Sequence, residues 1–285
     1  MADQIRRIDA EAVSDAVRDL FLRANSVIGE DVLTKLDRAI CKESNALARG
    51  VLTAIRDNDR IAGEKGLPIC QDTGMAVLFA EVGSLVHIEG DTLEKAVNRG
   101  VKKAYLDGKL RCSVVRDPLF HRENTGDNTP AVLHVKTVPG DRLKLTAAPK
   151  GFGSENMSAL QMFTPSAKPA DIVDFVVAAV SKAGSNPCPP VTVGVGIGSD
   201  FEGCALLAKY ALTRPLTDRN PDPEYAALEE TILARLNDLG IGPQGFGGDT
   251  SAFAVKIEVG PTHIAGLPVA ININCHVARH AQIVI

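Results

Sequence analysis

Helical periodicity stops, and strand periodicity begins, at one polar stretch: Leu67-Pro68-Ile69-Cys70-Gln71-Asp72-Thr73-Gly74. Upstream the pattern is helical. Residues 8–24 align Val13, Val17, Leu20, Phe21 and Ala24 on one face, a second helix follows Gly29, and a third covers about 45–56. Downstream, the apolar run 75–82 reads as a strand. Pro68 fixes its own φ and turns Leu67 away from helix, and Gly74 permits a tight exit. Cys70, Gln71 and Asp72 therefore belong on a loop at the mouth of a strand, where a rigid scaffold can hold reactive groups.

The remainder alternates between the two periods. Asp91 reads as the N-cap of a helix through Tyr105. Residues 111–130 lack periodicity, and a structureless segment of that length tends to be functional. The runs 131–138 and 142–146 flank Pro139-Gly140-Asp141 and predict a hairpin. The glycine loop 150–156 is expected to enter a helix holding Met157, Leu160 and Met162. Helices over 169–183, 202–212 and 224–239 and strands over 191–197, 252–259 and 269–273 follow, with 217–223 a lobe boundary or a surface loop. Helices first, then strands among helices, indicate a mixed α/β (α+β) chain: a helical region over 1–60 leading into two lobes of sheet flanked by helices.

Composition narrows the function. The 285 residues carry a net charge of −4 and 45% hydrophobic residues, ordinary for a soluble globular protein. No basic block interleaves with aromatics, which removes nucleic acid as a partner. No apolar run approaches membrane-spanning length and none follows the charged residues 1–7, so the expected location is the cytoplasm. Trp is absent, so the core must rest on Val, Ile, Leu and Ala.

Six cysteines are scattered over the chain, unlike a secreted disulfide scaffold. Cys70, Cys188 and Cys275 each sit on a polar or proline-rich loop at a strand end. Cys41 and Cys204 fall in helices, as small core residues, and Cys112 lies beside Arg111. Paired C-x₂₋₄-C spacing of structural zinc is missing, whereas three isolated thiolates suit a soft-metal group with one open position. Spacing alone also admits three unrelated buried thiols, or a redox iron–sulfur or zinc protein with Cys112 or Cys204 as fourth ligand. The run Val193-Gly194-Val195-Gly196-Ile197-Gly198 departs from the dinucleotide fingerprint and reads as close strand–helix packing. Arg111, Arg116 or Arg122 can clamp a carboxylate, Gly151 and Gly153 can offer backbone N–H groups, and His263 can donate from a turn.

These blocks together resemble the alpha subunit of the class I, iron–sulfur-dependent fumarases and tartrate dehydratases. The likeness is carried by Cys70-Gln71-Asp72-Thr73-Gly74, Asp117-Pro118-Leu119 with Asn124-Thr125-Gly126-Asp127-Asn128, and the glycine loop 150–156. Asn186-Pro187-Cys188-Pro189-Pro190, Gly240-Ile241-Gly242-Pro243-Gln244-Gly245 and the Cys275 segment continue it in family order. The resemblance implies a [4Fe–4S] cluster on Cys70, Cys188 and Cys275, in the cleft between the lobes, with one iron not ligated by protein. It implies that Gln71, Asp72, Arg111, Gly153 and His263 face a dicarboxylate, with Asp72 and His263 catalytic. The family loop usually has three consecutive glycines; Phe152 stands in the middle here, so Gly151 is equally eligible. The implied reaction is reversible hydration of fumarate to (S)-malate, a tricarboxylic acid cycle step, with L-tartrate dehydration as the alternative. A further C-terminal catalytic domain of the family is absent, so a separate beta subunit and an (αβ)₂ assembly are expected.

Overall fold

The structure is a computed structural model that describes residues 5–285, so the first four residues of the N-terminal stretch 1–7 lie outside the described residues. In chain order the elements are β1 (Arg6–Asp9), α1 (Ala10–Ser26), α2 (Glu30–Lys42), α3 (Ala46–Lys65), β2 (Val77–Gly83), β3 (Val86–Glu89) and α4 (Leu93–Asp107). Then come β4 (Val132–Val138), β5 (Leu143–Ala147), α5 (Phe152–Glu155), β6 (Ala159–Phe163), α6 (Pro169–Ala183) and β7 (Val191–Gly198). The chain closes with α7 (Phe201–Ala211), α8 (Pro223–Asn237), β8 (Ala252–Gly260), β9 (Leu267–Asn274) and β10 (Ala281–Val284). Among the described residues no helix is long and apolar enough to cross a membrane.

The mixed α/β class is borne out, and the chain divides into two compact units. One comprises the residues up to Ile28, Ile61–Gly151 and Arg279–Ile285. Its four-stranded sheet runs β10-β5-β2-β4, with a separate parallel pair of β1 and β3. Val13, Val17 and Phe21 of α1, Val97, Val101 and Tyr105 of α4, and Leu78, Leu143 and Leu145 of the sheet form one buried core. The other unit comprises Gly29–Arg60 and Phe152–Ala278, with sheet order β6-β9-β7-β8.

In that second sheet, β7 is buried along its whole length. Its period-2 alternation sends Val193, Val195 and Ile197 into a core with Ile172 and Val176 of α6 and Ile232 and Leu236 of α8. Gly194 and Gly196 face α7 instead, where a Cβ would run into the carbonyls of Ala208 and Cys204. The glycine run thus serves close strand–helix packing, as its spacing predicts. The helix over 169–183 is also as expected, with proline at its start and Gly184 accepting the role of C-cap.

Four expectations are corrected. The helical N-terminal region is preceded by β1, whose Ile8 is buried while its neighbours are exposed; four residues are too short for periodicity to register. Runs 131–138 and 142–146 are strands but no hairpin, because β2 lies between them, parallel to β4 and antiparallel to β5. The buried β2 takes the central place and the half-exposed β4 the edge. After the glycine loop, α5 is a single turn, and residues 159–163 form the edge strand β6, paired to β9. Thr92, not Asp91, caps α4; Asp91 pairs with Arg99 instead.

Candidate active site

Within the first unit, the loop of Cys70 is built by the end of α3. Gly66 adopts φ +63° and Leu67 N–H bonds back to Ala62 O at 3.0 Å, a left-handed helix stop that delivers the chain to Pro68. Ile69 N–H then bonds to Asn25 O at 2.8 Å, which ties the loop to the end of α1. Cys70 is partly exposed, Gln71 exposed and Asp72 partly buried. Asp72 Oδ1 accepts from Gly74 N–H at 3.0 Å, closing an Asx turn.

Buried groups hold this turn from behind. Tyr105 Oη sits 2.9 Å from Thr73 O and 2.8 Å from Gly74 O. Burial pushes the Tyr105 phenol well above its ordinary range, so it remains a donor. Asn128, fully buried at φ +61°, donates to Gly74 O at 3.1 Å and accepts from Ser113 N–H at 2.7 Å. One side chain therefore fastens the aperiodic stretch 111–130 to the Asp72 turn. Arg111, exposed on that stretch, donates to Gln71 Oε1 at 2.7 Å, and Thr73 Oγ1 donates to Arg111 O at 3.0 Å.

Gly151 completes this group. A Cβ placed on it would lie 3.3 Å from Asp72 Oδ2, so the glycine brings its backbone against the carboxylate. Arg279 is one residue that sequence reasoning missed. It lies in the tail after Cys275, is 4% exposed, and its guanidinium donates to Asp72 O and Pro149 O. A buried arginine in a terminal tail has no periodic signature; an Arg adjoining the Cys275 block was the only available signal.

The second unit carries Cys188, Gly153, His263 and Cys275. Cys188 is exposed and held at φ +54°, a left-handed conformation unusual for a non-glycine residue. His276 N–H donates to Cys188 O at 3.1 Å, which joins the Cys275 loop to the Cys188 loop. Gly153 abuts the same place, since a Cβ on it would lie 3.4 Å from Asn186 O. Gln244, also missed, donates from both its backbone N and its Nε2 to Pro189 O, at 2.8 and 2.9 Å. Glu155 fixes the glycine loop through an ion pair to Lys209 of α7 and a 2.7 Å bond from Asn272 of β9. His263 lies on an exposed turn, and its Nδ1 accepts from Ala265 N–H at 3.1 Å, which leaves Nε2 as the donor of the neutral ring.

None of the six cysteines is in a disulfide. Cys41 is exposed rather than part of the core, because α2 turns that face outward. Cys204 is fully buried, and burial pushes its thiol up; burial, with Asp127 adding to it, does the same to Cys112. Among the described residues, neither unit by itself gathers three His, Cys, Asp or Glu side chains into a metal-holding group. The residues whose chemistry fits a soft metal are the loop thiols Cys70, Cys188 and Cys275, the last two on hydrogen-bonded loops.

A mixed α/β chain that sets thiols, a carboxylate and backbone N–H groups on loops at strand ends has the make-up of a loop-built enzyme. The model of the fumarate hydratase (Fumerase) family matches residues 14–284, and the chain belongs to that family of hydro-lyases. Among its relatives, a putative L(+)-tartrate dehydratase subunit alpha of Methanocaldococcus jannaschii is 41% identical, covering 94% of this chain and 96% of the relative. The L(+)-tartrate dehydratase subunit alpha of Escherichia coli O157:H7 is 30% identical over 100% of this chain and 94% of its own length.

Proposed function

We propose that this chain is the alpha subunit of an iron–sulfur hydro-lyase that reversibly hydrates fumarate to (S)-malate. In this reading Cys70, Cys188 and Cys275 hold a [4Fe–4S] cluster with one iron not ligated by protein. When bound, the cluster would supply a Lewis acid for a substrate hydroxyl and carboxylate. The observation that carries the reading is the Asp72 turn, two residues beyond a thiol in a family-matched loop: buried Tyr105, Asn128 and Arg279 hold the backbone carbonyls of Thr73, Gly74 and Asp72, and so fix the turn from which the Asp72 carboxylate projects.

Each chain residue has a separate task. Asp72 takes the proton from the carbon beside one carboxylate in the elimination direction and returns it in hydration. Negative charge then grows on that carboxylate, where Arg111 and Gln71 and backbone N–H groups at Gly151 or Gly153 would stabilise it. His263, with Nε2 as its donor, would bind a second carboxylate or a developing oxyanion. Left-handed backbone at Cys188 supports a functional role for that thiol, since strain of this kind persists where the surroundings enforce it. A beta subunit carrying the C-terminal catalytic domain, in a cytoplasmic (αβ)₂ assembly, would complete the enzyme; the relatives' designation as alpha subunits supports such a partner.

A second reading, dehydration of L-tartrate, is favoured by the names of those relatives. Motifs Asn124-Thr125-Gly126-Asp127-Asn128-Thr129-Pro130 and Asn274-Cys275-His276-Val277-Ala278-Arg279 look closer to the fumarase branch. Anaerobic co-purification with the beta subunit, iron and sulfide analysis, and turnover of fumarate against L-tartrate test both. About four irons per chain are expected, with Cys70→Ser, Cys188→Ser and Cys275→Ser each losing iron and activity together. Asp72→Asn should retain iron while kcat falls by about 10²–10⁴. Zinc in place of iron, or full activity in the Cys→Ser variants, would sink the proposal.

A further inference from the structure

The glycine-rich run 240–249 supplies no side chain to the proposed reaction, yet it is firmly tied down within the second unit. Glu43, at the junction of α2 and α3, is 3% exposed. Its carboxylate accepts the Asp249 N–H on both oxygens, at 2.9 and 3.0 Å, and the Asn45 N–H at 3.2 Å. Asp249 returns the contact, its Oδ2 accepting from Ser44 N–H at 2.8 Å. The run also closes on itself, with Gly247 N–H on Ile241 O at 2.9 Å and Gly245 N–H on Gly242 O at 3.1 Å.

This braced loop meets the Cys188 loop at two places. A Cβ on Gly245 would lie 2.5 Å from Ser185 Cβ, and Ser185 O accepts the Cys188 N–H at 3.0 Å. On the other side of the thiol, Gln244 sends its backbone N–H and its Nε2 to one acceptor, Pro189 O. Gln244 holds φ +54°, a left-handed backbone that is costly for a residue with a Cβ. Glycine would adopt it freely and would still donate its backbone N–H. What glutamine adds at this position is the second donor. Cys188 is also left-handed, at φ +54°, and such a residue relaxes unless its neighbours hold it.

We infer that Gln244 is a positioning residue for Cys188: carried on a loop staked by Glu43, it pins the Pro189 carbonyl and so fixes the backbone from which the Cys188 thiol projects. The clamp stands on these contacts alone, whereas its use in holding iron rests on the function proposed above. Groups that orient a metal ligand in this way typically contribute about 10–100-fold in metal affinity.

Gln244→Glu keeps the shape and loses the donor. In the metal-free full chain, hydrogen exchange at the Cys188 and His276 amides should quicken by roughly 5–10-fold, the worth of one hydrogen bond, while the Asn45 and Asp249 amides keep their rates. Gln244→Gly, which loses the donor but relieves the left-handed backbone, should loosen the same two amides without lowering Tm. In enzyme assembled anaerobically with its partner, both variants should hold iron about 10–100-fold more weakly against a chelator. Unchanged exchange at Cys188 and His276, or equal quickening at Asn45 and Asp249, would overturn the clamp. Iron held as tightly as in the unaltered enzyme would overturn the positioning role. An unaltered enzyme without iron would instead remove the cluster reading, and the exchange rates would still decide the clamp.

Discussion

Asp59 on α3 is 3% exposed, and neither of its carboxylate oxygens makes a hydrogen bond in proper geometry. Burial pushes its pKa up to about 6, with Asn58 opposing only in part. The folded chain therefore binds this proton more tightly than the unfolded chain does. The sign follows: stability is fullest below the ordinary carboxylate pKa and falls as pH rises through about 6. A shift of this size corresponds to about 3 kcal/mol lost by neutral pH. Asp59→Asn should flatten that slope and stabilise the chain at pH 7.5 by a similar amount, read from denaturant unfolding at pH 5 and pH 7.5. Cys188 is the opposite kind of residue: its cost lies in the backbone, and its position on a family-matched loop supplies the reason to keep it.

Among elements, β7 and α7 show how one substitution type can have opposite signs. At Gly196 an added Cβ meets the Cys204 carbonyl and lies 2.6 Å from Ala208 N, so the strand and helix would have to part. Gly196→Ala should destabilise by roughly 3 kcal/mol, the upper part of the range for overpacking. Gly50, exposed in the second turn of α3, has open space around its Cβ position. Gly50→Ala should instead stabilise by about 0.5–1 kcal/mol through helix propensity. Thermal unfolding of the two variants side by side checks the pair, and a shared sign would contradict the packing described for β7.

For the molecule as a whole, the first unit depends on the last seven residues. Strand β10 pairs with β5 through Ala281↔Ala147 to Val284↔Lys144, and Arg279 holds the carbonyls of Asp72 and Pro149. Truncation after Ala278 removes both. Loss of the buried guanidinium bonds alone should cost about 3 kcal/mol. Hydrogen exchange should then quicken in β2 and α1 while β7 keeps its protection. Uniform loss across both sheets would count against two separate cores.

Much of this protein is written in local sequence. The 169–183 helix has its proline start and its periodic Ile172, Val176 and Val180 within one segment, and β7 declares itself by alternation. The loop character of Cys70 and Cys188 is equally local, because proline and glycine set backbone angles without help from distant residues. Family membership rests on such blocks too. Partner choice among strands was not legible: 131–138 and 142–146 look like a hairpin until the more buried β2 takes the place between them. Leu160 and Met162 fit a helix until β9 offers an edge to 159–163. The bracing of Asp72 by Tyr105, Asn128 and Arg279 spans more than 200 residues of chain, from Asp72 to Arg279. Periodicity and capping act over one or two turns, whereas hydrogen-bond partners and burial are settled only when distant segments compete for the same space.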